Sequence, residues 1–153
     1  MFRGPRVSEP FTITVPGPLG ANLGQNAHVH WRVKAKATKD ARQEWLMAAW
    51  SEHLDAPPMD RMRLTFDAYF CRRRPARSPA SLYEGGVALG YRPRDIDNLV
   101  AAMKPAVDGL VDAGLVEDDD KTRVRYGDHE ITWVDSFDDE RVEIHVEPLG
   151  GKG

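Results

Sequence analysis

Apolar and polar residues alternate in several stretches of the chain, and this alternation predicts β-strands that bury one face. These stretches cover residues 11–15, 28–33, 63–71, 122–134 and 141–146. The first stretch ends at Pro16-Gly17-Pro18, a combination that breaks strands and favours turns. The last two are separated by the acidic residues 138–140, and we predict that they pair as an antiparallel hairpin.

Two further stretches repeat their apolar residues at helical spacing. Residues 39–54 form the first predicted helix, for which Thr38 is a suitable N-cap. Residues 98–113 form the second predicted helix, with Asp97 as the expected N-cap and Gly114 as the residue that ends it. We therefore predict two main helices among the strands.

The 153 residues of the chain suit one domain with a sizeable core. No internal repeat and no change in composition marks a boundary, so we predict a single domain over residues 1–153. Residues 1–9 and 149–153 are expected to be flexible tails. Residues 73–94 are rich in proline, glycine and arginine, and we predict that they form an exposed basic loop.

The composition excludes several classes of protein. Hydrophobic residues make up 41% and charged residues 29% of the chain, as in ordinary globular proteins. No apolar run approaches the roughly 18 residues of a membrane span, and the N-terminus has no apolar signal segment. Cys71 is the single cysteine, which rules out an internal disulfide and an all-cysteine metal site. We expect a cytoplasmic protein that has no membrane partner.

The net charge of −3 conceals a strong asymmetry along the chain. Residues 1–94 hold 15 Lys and Arg against 8 Asp and Glu, whereas residues 95–153 hold 6 against 16. A nucleic acid requires a local basic surface and not a basic protein. The asymmetry is therefore compatible with a bound polyanion, and equally with two solvated faces of opposite sign.

Carboxylates gather at the boundary between the basic and acidic parts. Asp95 and Asp97 precede the second predicted helix, and the acidic residues 117–120 follow it. Clustered carboxylate oxygens are ligands that suit Mg²⁺, and the positive end of a helix also favours negative charge. Acidic helix caps are common without a metal, so this pattern alone is weak.

Lys104 lies seven residues after Asp97, which is two helical turns and nearly the same azimuth. The axial offset of about 10 Å is reduced because helical side chains lean toward the N-terminus. Asp108 shares this side of the helix and is expected to pair with Lys104. Pro105 interrupts the pattern, because proline inside a helix removes one backbone hydrogen bond.

Over residues 92–124 the sequence resembles the RusA-like Holliday junction resolvases, a family common in phages and prophages. The resemblance rests on Asp-Ile-Asp-Asn-Leu at 95–99, on Lys104, on Asp-Gly-Leu at 108–110 and on the acidic pair Asp118-Asp119. It implies an α+β fold in which two main helices pack on a mixed β-sheet, and a homodimer. It also implies Mg²⁺-dependent cleavage of phosphodiester bonds in DNA recombination and repair.

Position by position, the resemblance assigns catalytic roles to Asp95, Asp97, Asp119 and Lys104. The three aspartates, together with Asp118, are the implied metal ligands for one or two Mg²⁺ ions, with Mn²⁺ as a substitute. In the best-known member of the family the lysine follows the second aspartate by four residues, whereas here it follows by seven. The candidate DNA-binding residues are Arg72, Arg73, Arg74, Arg77, Arg92, Arg94, Asn22 and Asn26.

The expected partner is branched DNA, in particular a four-way junction. No nucleotide cofactor is expected, since the glycine-rich residues 17–24 lack the Gly-Lys-Ser/Thr of a phosphate-binding loop. Two alternatives remain open from the sequence. One is a nuclease for flap or fork DNA, and the other is a branched-DNA-binding protein without catalytic activity.

Overall fold

A computed structural model describes residues 9–20, 23–24, 30–53, 58–72, 83–84, 87–88, 90–117 and 123–149. Within these residues the chain alternates between strands and helices. The strands are β1 (Phe11–Pro16), β2 (Arg61–Cys71), β3 (Tyr83–Glu84), β4 (Val87–Ala88), β5 (Val124–Tyr126), β6 (Glu130–Val134) and β7 (Arg141–Leu149). The helices are α1 (Trp31–His53), α2 (Ile96–Ala102) and α3 (Lys104–Asp112), with a short 3₁₀ turn at Phe137–Asp139.

The main sheet is built around β2. This strand pairs antiparallel with β7 on one side and parallel with both β5 and β6 on the other. Strand β1 extends the sheet through antiparallel pairing with β7, while β3 and β4 pair only with each other. The five-stranded sheet is therefore mixed, and the predicted α+β class with a mixed sheet is confirmed.

The two faces of the sheet differ sharply in polarity. In β2, Met62, Leu64 and Phe66 are fully buried, while the alternate residues Thr65 and Asp67 are half-buried on the other face. Strand β7 follows the same alternation in register with β2. Burial of each large apolar side chain contributes about 1.5–3 kcal/mol to folding, so the apolar face is the one that the helices cover.

All three helices contribute side chains to the core on this apolar face, among them Trp45 from α1, Leu99 from α2 and Leu110 from α3. Helices α1 and α3 approach closely at Gly109, where an added Cβ would lie 2.3 Å from the backbone oxygen of Arg42. Only glycine permits this approach. Among the described residues, no helix has the length and apolar character that a membrane span requires.

The predicted strand at 28–33 is wrong where the structure describes it, because α1 already begins at Trp31. Thr38 consequently lies inside the helix and is not its N-cap. The alternation at 31–33 does not mark a buried strand face, since the Trp31 side chain is 68% exposed. No proline or glycine interrupts residues 31–53, and several alanines favour the helical conformation.

The predicted helix over 98–113 is divided into α2 and α3 at Met103. Pro105 explains the division. It occupies the second position of α3, where a backbone N–H would have no partner within the helix. The predicted end at Gly114 is confirmed: its φ is +88°, and its N–H donates to the carbonyl of Val111.

The predicted hairpin between 122–134 and 141–146 is also wrong. Strands β6 and β7 lie on opposite sides of β2, and residues 127–129 divide the first stretch into β5 and β6. His129 stabilises this interruption, since its ring stacks on Phe66 at 4.3 Å and its Nδ1 accepts from the Phe66 N–H at 3.0 Å. Burial lowers the pKa of His129, so the neutral ring that this bond requires is favoured.

Parts of the predicted basic loop at 73–94 have defined structure. Residues 83–84 and 87–88 form β3 and β4, and Tyr91 forms an isolated antiparallel bridge with Leu19. Residues 73–82 lie outside the described part of the chain, as do most residues of the predicted tails at 1–9 and 149–153.

Candidate functional site

Asp95 is the N-cap of α2, and the prediction that Asp97 fills this position is wrong. The backbone of Asp95 is extended, and its Oδ1 accepts from the Asn98 N–H at 2.8 Å. Its Oδ2 accepts from the Asn98 side-chain amide at 2.9 Å. These two bonds fix the orientation of the carboxylate, while each oxygen keeps a lone pair that a cation can bind.

Asp97 lies in the first turn of α2 and is exposed. No partner for its carboxylate is found among the residues that the structure describes. It faces solvent at the end of the helix where the peptide dipoles favour negative charge. Asp95 and Asp97 thus form a small acidic surface, with one carboxylate oriented by hydrogen bonds and the other open.

The chain directly before Asp95 is held against the loop that follows β1. Tyr91 and Leu19 exchange two backbone hydrogen bonds, of 2.8 and 3.1 Å. Gly90 has a φ of +113°, and an added Cβ there would lie 2.8 Å from the Leu19 carbonyl oxygen. Burial and, to a lesser degree, the nearby Asp95 carboxylate raise the pKa of Tyr91. Asp95 is therefore close to a well-anchored segment.

Arg92 anchors the same segment to the sheet. Its guanidinium donates to both carboxylate oxygens of Glu140, at 2.6 and 2.8 Å, and Glu140 is only 4% exposed. The Glu140 Oε2 also accepts from the Cys71 N–H at 2.9 Å. Arg92 lies over the Phe137 ring at 5.5 Å. Its side chain thus has a structural partner, and its predicted contact with DNA stays a prediction.

Two other predicted DNA-binding arginines lie nearby. Arg94 is exposed and lies over the Trp133 ring at 5.9 Å from its centroid. Arg72 is exposed at the end of β2, and its backbone N–H donates to the Val134 carbonyl. The remaining predicted DNA-binding residues are outside the described part of the chain, namely Asn22, Asn26, Arg73, Arg74 and Arg77.

The predicted pairing of Lys104 with Asp108 is confirmed, with 3.0 Å between Nζ and Oδ1. The Lys104 side chain is well exposed and begins α3. Because the helix is interrupted at Met103, the argument from two continuous turns between Asp97 and Lys104 does not apply. Whether the ammonium serves the Asp95 surface remains a prediction.

Asp118 and Asp119, the predicted further ligands, and the neighbouring Asp120 lie outside the described residues. The described residues on either side, Glu117 and Arg123, form an ion pair of 3.4 Å. The Arg123 carbonyl accepts a hydrogen bond from the Met62 N–H at the start of β2. Arg92 lies near the other end of this strand, because its partner Glu140 also binds the Cys71 N–H. If α2 and α3 are collinear, they span about 25 Å, the distance that separates Asp95 near the end of β2 from the segment near the start of β2.

The first half of α1 is a basic surface that the sequence analysis missed. Besides Trp31, this half contains five basic residues and a single acidic residue, Asp40, which pairs with Lys36 at 2.7 Å. Trp31, Lys34, Lys39 and Arg42 line a shallow surface groove along it. The basic residues are Arg32, Lys34, Lys36, Lys39 and Arg42. We call this half of the helix the basic half of α1. A strand was predicted for residues 28–33 and a helix only from residue 39, so a continuous basic helix surface from residue 32 to residue 42 was not expected.

A different group of side chains converges on the open face of the sheet. One ligand atom from each of Asp67, Glu143 and His145 lies within 4.8 Å of the other two. Asp95 and Asp97 belong to no such group of three among the residues that the structure describes. No sequence motif indicates this cluster, because Asp67 and Glu143 become neighbours only through the register of β2 and β7.

Comparison with protein-family models gives no match for the chain. A search of curated proteins gives no match either.

The ion pair of Arg92 and Glu140 generates a prediction about stability. Glu140→Gln should lower the free energy of unfolding by about 3 kcal/mol, because it leaves a largely buried arginine without its counter-charge. Urea unfolding followed by circular dichroism measures this change.

Glu147→Gln is the matched control, since Glu147 pairs with Arg63 at 3.5 Å on an exposed part of the sheet. An exposed pair of this kind contributes less than about 1 kcal/mol. Equal losses in the two variants would show that Glu140 has no special structural role.

Proposed function

We propose that the protein is a Mg²⁺-dependent, structure-specific endodeoxyribonuclease that cleaves four-way DNA junctions. One inference from the contacts of α1 carries the proposal: residues 31–40 of its basic half extend toward the end of the molecule where Asp95 and Asp97 lie. A phosphodiester substrate needs both features, a cation site at the scissile phosphate and a basic surface for the flanking phosphates.

The common location follows from contacts along α1. Ala41 and Trp45 line a small recess together with Leu19 and Ala102. Leu19 is bonded to Tyr91, four residues before Asp95. Further along α1, the Trp50 indole donates to the Ala113 carbonyl at the far end of α3. Helix α1 therefore runs in the same direction as α2 and α3, and we infer that residues 31–40 extend toward the Asp95 end. Arg42 instead pairs with Asp112 near the end of α3.

The donor set fits a hard divalent cation, since Asp95 and Asp97 offer only oxygen atoms. The Asn98 bonds orient the Asp95 carboxylate, and Asp97 is open to solvent. A bound Mg²⁺ would supply activation of a water molecule and stabilisation of charge on the scissile phosphate. Asp119 as a third ligand and Asp118 as a neighbouring one rest on the sequence alone, and the adjacent Glu117 lies toward the start of β2, away from the Asp95 end.

The cationic side chains have separate proposed roles. Lys104 offsets negative charge near the acidic surface, and its pair with Asp108 holds it on the exposed side of α3. The basic half of α1 and Arg94 contact phosphates outward from the cleaved bond. Contacts of this kind position DNA without reading its sequence, which suits recognition by shape.

A homodimer is part of the proposal. A four-way junction is close to two-fold symmetric, so a dimer with a two-fold axis presents two equivalent sites for paired cuts. Flap or fork DNA would instead require only one site per complex.

A non-catalytic branched-DNA-binding protein is the second candidate. Both oxygens of Asp95 accept hydrogen bonds from Asn98, as a purely structural helix cap would. Loss of cleavage with retention of binding, measured on a single variant, separates this candidate from the nuclease.

Asp97→Asn is that variant. It changes one of the two proposed metal ligands that lie within the described residues. Asp97 is exposed, so folding should be unaffected. We expect cleavage of a labelled four-way junction in Mg²⁺ to fall at least 100-fold, while junction affinity stays equal or rises because a negative charge is lost. Gel assays of cleavage and of binding in Ca²⁺ measure the two effects.

Asp60→Asn is the control, since Asp60 is an exposed aspartate at the opposite end of β2. Full Mg²⁺-dependent cleavage by Asp97→Asn would contradict the proposed site. Wild-type binding without any cleavage would favour the non-catalytic candidate.

The basic half of α1 generates a second prediction. Replacing Lys34 and Lys39 together by Ala should weaken junction binding and reduce its salt dependence. If each lysine contacts one phosphate, the slope of log affinity against log salt should fall by about 1.8. Fluorescence anisotropy at several salt concentrations measures this slope.

Arg63→Ala combined with Arg125→Ala is the matched control. It removes the same number of positive charges from a different surface, where the two residues are partners in the pairing of β2 with β5. An equal change of slope in both double variants would mean that net charge alone governs binding.

A further inference from the structure

The open face of the sheet carries a cluster that the proposed nuclease does not use. Asp67 and Glu143 are direct cross-strand partners in β2 and β7, and His145 follows two residues later on the same face of β7. The helices pack on the opposite face of the sheet. This cluster, which we call the His145 cluster, is therefore separate from the acidic surface at Asp95 and Asp97.

The two carboxylates of the His145 cluster are cross-strand neighbours, so a cation close to both of them is stabilising. Like charges directly opposite one another on adjacent strands destabilise a sheet. Arg141 binds one oxygen of Glu143, with Nε 2.8 Å from Oε2, and leaves the other oxygen directed toward His145. The His145 Nε2 lies 3.6 Å from this Glu143 oxygen and 2.7 Å from Oδ2 of Asp67.

The other nitrogen of His145 is held from β1. Its Nδ1 lies 2.8 Å from the hydroxyl oxygen of Thr12, which is its cross-strand partner. The 2.7 Å contact between Nε2 and Asp67 Oδ2 is a hydrogen bond in which Nε2 carries the proton. A bound metal ion would replace this proton, and Nδ1 would then donate to the Thr12 hydroxyl. The same arrangement orients metal-bound histidines, whose second nitrogen donates to a neighbouring oxygen.

We propose that Asp67, Glu143 and His145 bind a divalent first-row transition-metal ion of the Zn²⁺ type. Tetrahedral Zn²⁺ binds nitrogen and oxygen at about 2.0–2.1 Å, which separates its ligand atoms by about 3.3 Å. The 3.6 Å between His145 and Glu143 is close to this separation. The 2.7 Å between His145 and Asp67 must widen by about 0.6 Å, which a small side-chain rotation achieves.

The donor atoms determine the class of metal. An imidazole nitrogen with two carboxylates suits Zn²⁺, Co²⁺ or Mn²⁺, whereas Mg²⁺ favours an octahedral shell of oxygen atoms. Three protein ligands leave a fourth position of a tetrahedral ion for water or a small anion. The three side chains are only partly buried, so this position is open to solvent.

The inference is independent of the nuclease proposal, because its test measures metal binding without DNA. Purified metal-free protein is titrated with Co²⁺, whose visible absorption reports bound nitrogen and low coordination number, and then with Zn²⁺ as competitor by calorimetry. We expect one Zn²⁺ to bind per chain at this site and to displace the Co²⁺ absorption.

Two variants of similar side-chain size, His145→Gln and Asp67→Asn, test the ligands. Each should weaken Zn²⁺ binding at least tenfold while the circular dichroism spectrum is retained. Thr12→Val should weaken binding about tenfold through loss of the orienting hydroxyl, within the range seen for such partners. Glu147→Gln, on the same strand but outside the cluster, should bind as the wild type does.

Several results would overturn the site. Absence of both a Co²⁺ absorption and a Zn²⁺ heat in the wild-type protein would show that the cluster holds no metal. Unchanged Zn²⁺ affinity in both His145→Gln and Asp67→Asn would place any bound ion elsewhere. An equal loss in Glu147→Gln would show unspecific binding to surface carboxylates.

Discussion

Glu140 binds three segments of the chain that are far from it and from one another in sequence. Its backbone carbonyl accepts from Gly17 after β1, and its carboxylate accepts from Cys71 at the end of β2 and from Arg92 before α2. A buried charge destabilises a protein unless all its bonds are made, and here the guanidinium and an amide satisfy the carboxylate. Glu140 thereby fixes the start of α2, with Asp95, to the sheet, together with the bridge between Tyr91 and Leu19.

The mixed sheet separates two regions of different chemistry. Its apolar face carries the helices, whose ends present the exposed carboxylate of Asp97 and the basic half of α1. Its open face carries the His145 cluster, whose metal-donor groups are one imidazole and two carboxylates. Oxygen-only ligands suit Mg²⁺, and mixed ligands suit transition metals, so the proposed cation sites differ in both location and preference.

Local sequence patterns predicted β1, β2 and the end of α3, because alternation and a left-handed glycine are local properties. They failed for residues 31–33, where a solvent-exposed helix start imitates a strand, and at Asp97, because N-cap geometry depends on the backbone before the helix. The role of Glu140 and the His145 cluster arise from strand register, which no short motif contains. The acidic motif at 95–97 was found from sequence, but its proposed third ligand lies outside the described residues.

The most direct test of the account compares cleavage of DNA substrates of matched sequence by the wild-type protein. A four-way junction, a flap and a linear duplex are incubated with and without Mg²⁺, and the nicks are mapped on denaturing gels. The account predicts paired, symmetrically placed nicks in the junction, only with Mg²⁺, and at least tenfold slower cleavage of flap and duplex. Absence of Mg²⁺-dependent cleavage of the junction by folded protein would contradict it.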